Sequence, residues 1–196
     1  TLKKYGRLGA ELAIKRMPSS TTTTADIADL LDYCRQEFGL EFEYLIVDYA
    51  GLMGASTGSK EDTDRIGQVY LDLANLATEY DLEHVYTAHH VKRDAEKREA
   101  TKYSVNDIAK CIDIVRHVQA VWGLNRNDEE TAQEVFRMEL VEQRDGKPNA
   151  RALFTVNMDS NLATEFSKEQ RRKYNAQWAE DPEDAEDHSS DLTHED

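Results

Sequence analysis

Along the first ninety residues, apolar positions recur with two different spacings, and the alternation between them sets out a fold. Ile27, Leu30, Leu31, Cys34 and Phe38 fall on one helical face, the i, i+3, i+4 progression of an amphipathic helix. Thr24 is the expected N-cap, Asp26 sits in the first turn, and Gly39 supplies the stop. A second helix is predicted over residues 61–80, its core face being Ile66, Val69, Tyr70, Leu73, Leu76, Ala77 and Tyr80. Between the two, Glu43-Tyr-Leu-Ile-Val-Asp48 is a compact apolar run ending in an acid, the pattern of a buried parallel strand. A Gly/Ser-rich loop at 51–59 follows it, and a further short strand is predicted at 84–88. Ahead of all these, residues 11–17 read as extended and end at Pro18 and a Ser/Thr run.

Past residue 89 the pattern shortens. A charged loop spans 89–103, and Ser104 is placed to cap a short helix running to Ile114. Strands are predicted at 119–124, 135–142 and 151–156, the last two flanking the turn-rich Arg144-Asp-Gly-Lys-Pro-Asn149 of a β-hairpin. Strand–helix alternation followed by a hairpin implies an α/β fold, mostly parallel, with an antiparallel addition at one edge. Trp122, inside a strand pattern, is expected to be structural. There is no internal repeat.

Composition changes this picture only at the edges. A chain of 196 residues suits one α/β domain with a sizeable core. No apolar run approaches the roughly 20 residues of a membrane span. Thr1 is not an initiator Met, so a fragment or processed product is expected. Cys34 and Cys111 are too few and too far apart for a zinc cluster, and suit a reduced, cytoplasmic protein. The net charge is −15, but residues 179–196 hold nine acids and no Lys or Arg, leaving −6 for the remainder. That tail is expected to be disordered, either a solvating extension or a docking or DNA-mimicking segment. Overall acidity does not exclude nucleic-acid binding, because a local basic loop suffices for it.

The sharpest chemical signal is Leu45-Ile-Val-Asp48. A buried strand whose final acid emerges at the crevice of an open α/β sheet can hold Mg²⁺ beside a nucleotide. Alone, such a string more often just ends a strand. The longer run Tyr44-Leu-Ile-Val-Asp-Tyr-Ala-Gly-Leu-Met53 resembles the Walker B segment of DnaB-like hexameric replicative helicases, and further resemblances follow in order. Thr87-Ala-His-His-Val-Lys-Arg93 looks like the family's third motif, whose strand-tip residue senses the γ-phosphate; His90 matches that place. Ser104-Val-Asn-Asp-Ile-Ala109 and Val121-Trp-Gly-Leu-Asn-Arg126 resemble the DNA-contacting element and the next core strand. Leu140-Val-Glu-Gln-Arg-Asp-Gly146 resembles the strand end that carries an arginine finger to a neighbouring subunit.

The resemblance spans residues 14–154 and rests on the ordered set. It implies a RecA-like P-loop NTPase core over 1–160, a helical extension over 161–178 and the acidic tail. It further implies ATP and Mg²⁺ as cofactors, single-stranded DNA and homo-hexamer neighbours as partners, and possible engagement of a primase and a helicase loader, in a bacterial or phage setting. Asp48 orders the metal, His90 reports the γ-phosphate and Arg144 acts in trans. Lys92, Arg93, Lys97, Arg98 and Lys102 in the loop, with Lys110 beyond it, approach the DNA backbone; a solvated charged loop is the plainer alternative, since Asp94, Glu96 and Glu99 interleave.

Two departures qualify the match. No G-x-x-x-x-G-K-[ST] phosphate loop occurs in the sequence, so the Walker A part is absent and the chain alone is not expected to hydrolyse ATP. The family's Lys two residues before the finger is here Glu142. Another RecA-like ATPase, such as a recombinase, and a non-catalytic binding protein with a degenerate core are the rival assignments.

Overall fold

Local sequence accounts for most of the helical elements, and the strands follow from what those helices leave to be covered. The structure is a computed structural model. It describes residues 2–7, 10–56, 61–97, 102–109, 112–146, 150–160 and 162–178; the acidic tail, Arg98, Lys110 and Cys111 lie outside the described residues. The chain divides into two units, residues 1–97 with 104–120, and residues 98–103 with 121–196.

In the first unit, β1 (Leu2–Arg7) and β2 (Ala10–Lys15) pair antiparallel, Leu2 opposite Lys15 and Arg7 opposite Ala10. Helix α1 (Thr24–Phe38) starts one residue earlier than expected: Thr23, not Thr24, is the N-cap. Asp26 accepts from both the Thr23 amide (2.7 Å) and the Thr23 hydroxyl (2.8 Å). Gly39 closes the helix with φ 63°, left-handed as expected, its amide donating to Arg35 O. Ile27 and Cys34 are buried, but Phe38 is 43% exposed. It lies on the same stripe beyond the last core residue and packs edge-on against exposed Tyr33.

Helix α2 (Asp62–Glu79) buries Ile66, Val69, Tyr70, Leu73 and Leu76, the predicted face. These join Ile27, Ala50, Met53 and Ile114 in one core, with Leu45, Val47 and Val85 packed against it. At roughly 1.5–3 kcal/mol for each large apolar side chain buried, this face is what holds the unit together. The Tyr80 hydroxyl adds a tie to α1 by donating to Ala28 O at 3.3 Å.

Strands β3 (Tyr44–Val47) and β4 (His84–Thr87) run parallel in register, Tyr44 opposite His84 and Val47 opposite Thr87. Full burial of β3 is not observed. Successive side chains point to opposite faces, so Leu45 and Val47 meet the helices while Ile46 (72%), Tyr44 and Tyr86 stay exposed. The short helix α3 (Arg93–Lys97) follows. In place of one helix from Ser104 to Ile114 there are two 3₁₀ turns, Val105–Asp107 and Ile112–Arg116. Ser104 does cap the first, its amide donating to Asp107 Oδ2 at 2.8 Å.

The second unit is a four-stranded sheet in the order β5 (Ala120–Asn125), β6 (Val135–Gln143), β7 (Arg151–Asn157), β8 (Leu162–Glu165). The expected hairpin is present: β6 and β7 are antiparallel, Val135 opposite Thr155 and Glu139 opposite Arg151. Trp122 is 42% exposed rather than part of a closed core, because β5 alternates and its inward positions are Val121, Gly123 and Asn125. Helix α4 (Asp128–Ala132) is capped by Asn127, and α5 (Lys168–Trp178) sets Tyr174 against Val135, Leu153 and Phe166.

Candidate nucleotide and metal site

Parallel in-register pairing puts the last residues of β3 and β4 side by side. Asp48 therefore leaves the sheet where Ala88 and the two histidines do, at the C-terminal end of the parallel strands. That is the end at which open α/β sheets take ligands. Asp48 and His90 are both exposed, and the intervening contact is aromatic: the Tyr49 and His90 rings meet edge to face, centroids 4.9 Å apart. The structure thus brings together the two residues that the sequence singled out as metal acid and phosphate sensor.

The loop after Asp48 is pinned from several sides. Thr87 Oγ1 accepts from the Ala50 amide at 2.9 Å, which ties the end of β4 to the turn beyond β3. Arg65 on α2 donates to Met53 O and, at 3.2 Å, to Gly51 O. From the other side, Ser20 N donates to Leu52 O and Gly54 N to Thr22 O. Gly51 is a close-approach position: a Cβ there would lie 2.7 Å from Tyr49 Cε2, so any larger residue displaces the ring that touches His90. Thr87, Arg65 and Gly51 escaped the sequence reading. Only the Thr at a strand end hinted at such a role.

The two histidines diverge, as neighbours on an extended segment do. His90 is exposed, while His89 turns inward and brings its Nε2 within 2.8 Å of Ala109 O and its Nδ1 within 3.4 Å of the Tyr70 hydroxyl. Just beyond, Ala109 N donates to His90 O (2.9 Å), Lys92 N donates to Asp107 O (2.7 Å), and Val91 bridges Ile108. The segment after β4 is thereby laced to residues 106–109.

The remaining candidates are dispersed. Lys92 and Arg93 are exposed in the first unit, and the Lys92 ammonium donates to Asn106 O. Lys97 ends α3, with nothing described of its side chain, and Lys102 is exposed in the second unit. Arg144, also in the second unit, is exposed immediately after β6, with Glu142 half-buried two residues before it. Among the described residues, no helix is long and apolar enough to cross a membrane.

No family model matches the sequence, and no curated protein does. Solved structures do match the fold. One is the ATPase domain of a DnaB-like replicative helicase, superposing with a TM-score of 0.65 at 16% identity over 75% of this chain and 52% of that one. Another is "The Structure Of A DnaB-Like Replicative Helicase And Its Interactions With Primase", with a TM-score of 0.66 at 15% identity over 77% of this chain and 37% of that one. The chain has the α/β fold of these helicase ATPase domains and spans about half the length of the first and over a third of the second.

Proposed function

We propose that the chain is part of an ATP-driven DNA helicase motor of the hexameric replicative kind, supplying the metal acid and phosphate sensor of its nucleotide site. The observation that carries this is the convergence of Asp48 and His90 at one end of the parallel pair β3/β4, in a fold shared with helicase ATPase domains.

The donor chemistry suits Mg²⁺. Among the described residues no three His, Cys, Asp or Glu side chains cluster as a metal cage. An exposed single carboxylate is what Mg²⁺ takes, since the ion keeps several waters and completes its shell with phosphate oxygens. Asp48 would hold it, and the ion would neutralise charge on the transferring phosphoryl group. His90, free of the strand and oriented by Tyr49, donates a hydrogen bond to a phosphate oxygen, more strongly when charged. The phosphate-gripping Lys and hydroxyl of a phosphate loop are not in this sequence, so another polypeptide segment must supply them for turnover. Arg144 then serves a neighbouring protomer's site, and Lys92, Arg93, Lys97, Arg98, Lys102 and Lys110 follow a single strand by charge.

Paramagnetic broadening tests the site in the chain as it is. With substoichiometric Mn²⁺ and excess ATP, the amide resonances of Asp48, Tyr49 and His90 should broaden beyond those of other exposed acids, and Asp48→Asn should abolish that selectivity. Broadening confined to the acidic tail would remove the assignment. A chain of the rival, non-catalytic kind gives that result.

A further inference from the structure

We infer that His89 is a positioning residue, clamping residue 109 so that a phosphate contact at His90 is passed to the segment 104–109. The inference rests on the nucleotide-site assignment of His90 above. The two histidines hold Ala109 from both of its polar groups. His90 O accepts the Ala109 amide at 2.9 Å, and His89 Nε2 lies 2.8 Å from Ala109 O.

A carbonyl oxygen offers only lone pairs, so Nε2 must carry the proton. That leaves Nδ1 as the acceptor, and the Tyr70 hydroxyl, 3.4 Å away, is the group that donates to it. The Tyr70 and His89 rings meet edge-on with centroids 6.0 Å apart. Tyr70 is 4% exposed on α2, in the middle of the core face. The clamp is therefore anchored in the most rigid element of the unit. It reaches across β4 to a segment that is otherwise held by the Val91–Ile108 bridge and the Lys92 N to Asp107 O bond.

This arrangement divides labour between adjacent residues. His90 faces solvent and is available to a ligand; His89 faces inward and sets where His90 stands. A displacement of the His90 backbone moves Ala109 directly through the hydrogen bond they share. Residues 104–109 lie next to the basic positions assigned to DNA, so the clamp is a short mechanical route from nucleotide to nucleic acid.

The test uses Mn²⁺·ATP as the probe and amide spectra of the whole chain as the readout. In the unsubstituted chain, the probe should broaden His90 and Mg²⁺·ATP should shift the resonances of residues 104–109. His89→Leu, which removes both hydrogen bonds, should cut the broadening at His90 several-fold and abolish the shifts at 104–109. His89→Gln keeps an amide donor for Ala109 O and should restore most of both. Tyr70→Phe loses only the hydroxyl and should give a smaller loss in the same direction, which covers the case of a poorly folded Leu variant. Imidazole ¹⁵N shifts of His89 should report a single tautomer with the proton on Nε2. Unchanged responses in His89→Leu and Tyr70→Phe overturn the clamp while leaving the site. No response at His90 in the unsubstituted chain overturns the site, and the clamp's role with it.

Discussion

Arg137 and Glu130 form a buried, two-pronged ion pair in the second unit, Nε to Oε1 at 2.7 Å and Nη2 to Oε2 at 3.1 Å. Both side chains are almost wholly out of solvent. Glu130 is also the capping-box acid of α4, accepting from Asn127 N at 2.7 Å, and it takes the Tyr174 hydroxyl from α5. One carboxylate therefore joins a helix start, a central strand and the C-terminal helix. Glu130→Ala leaves a buried guanidinium without its charge partner, and by the behaviour of such pairs should cost about 3–5 kcal/mol. The double variant Glu130→Leu/Arg137→Met should recover much of that loss, because it removes both charges together. Urea unfolding followed by Tyr fluorescence measures both; equal losses in the single and double variants would show that the pair matters only as volume.

Tyr174 reports the same junction through pH. Burial, followed by the hydrogen bond to Glu130 and that carboxylate's charge, raises its pKa above the ordinary phenol value near 10. The folded state thus holds the proton more tightly than the unfolded chain does. Its contribution is complete below pH 10 and is lost progressively as pH rises above it. Tyr174→Phe should flatten this alkaline loss of stability and cost about 1.5–3 kcal/mol at neutral pH, as for a hydrogen bond to a charged group. An unchanged alkaline unfolding curve in the Phe variant would place the titrating group elsewhere.

The cap of α1 has the opposite sign. Hydrogen bonds from the Thr23 amide and then the Thr23 hydroxyl lower the Asp26 pKa below its usual value near 4. The stabilisation is present above pH 4 and disappears as pH falls through the lowered value. Thr23→Ala should cost about 1 kcal/mol at pH 7, and the difference from the unsubstituted chain should shrink towards pH 2. Denaturation midpoints measured across that range decide it; a pH-independent difference would leave the carboxylate out of the cap.

What the sequence disclosed, and what it withheld, divides along physical lines. The α2 face, the Gly39 stop, the β6–β7 hairpin and the strand-end places of Asp48 and His90 are all set by local spacing, and local spacing is what a sequence displays. Phe38, Ile46 and Trp122 carry the same apolar signal but end up exposed. Apolarity says that a residue can be buried, while only the neighbouring layer decides whether it is. The Glu130–Arg137–Tyr174 junction was invisible for another reason. Its members lie in a polar stretch, and the sheet brings together residues as far as 44 apart in sequence. His89 looked like half of a histidine pair, and only its tertiary partners distinguish it from His90.

The chain by itself should release no more phosphate from saturating Mg²⁺·ATP than a heat-denatured control. A lone metal acid and a sensor do not offset the charge of three phosphates without the backbone cradle and Lys of a phosphate loop. Turnover abolished by Asp48→Asn would reveal a substitute for that loop among the residues present.

Binding to single-stranded DNA should separate the loop's two leading cations. The Lys92 ammonium is committed to Asn106 O, whereas Arg93 is exposed at the start of α3. Each phosphate contact on a single strand contributes about 0.7 to the slope of log affinity against log salt. Arg93→Ala should lower the magnitude of that slope by about that amount and weaken binding uniformly across sequences, with Lys92→Ala affecting it less. Fluorescence anisotropy of labelled oligo(dT) over a salt series measures this. Equal slopes in both variants and the unsubstituted chain would make the loop merely solvated.

Arg144 offers the most discriminating test, because its proposed work is done on another molecule. It stands exposed beyond the end of β6, and an arginine placed so can stabilise charge on a phosphoryl group held by an adjacent protomer. Such fingers contribute about 10³–10⁵ in turnover, so rings competent for hydrolysis, once the phosphate loop is supplied, should lose activity on that scale with Arg144→Ala. Glu142, half-buried two residues earlier on the same strand edge, opposes this by drawing the guanidinium back; Glu142→Lys should then raise activity rather than lower it. Mixing separates a trans role from a structural one. Rings built from Arg144→Ala and Asp48→Ala subunits contain some interfaces at which an intact Arg144 faces an intact Asp48. Those interfaces should hydrolyse ATP although neither parent ring does, with a maximum near equal proportions. Phosphate release across mixing ratios, after subunit exchange has been verified by mass, reads this directly. A flat baseline at every ratio would confine Arg144 to its own subunit, and full activity in the pure Arg144→Ala ring would leave it no part in the chemistry.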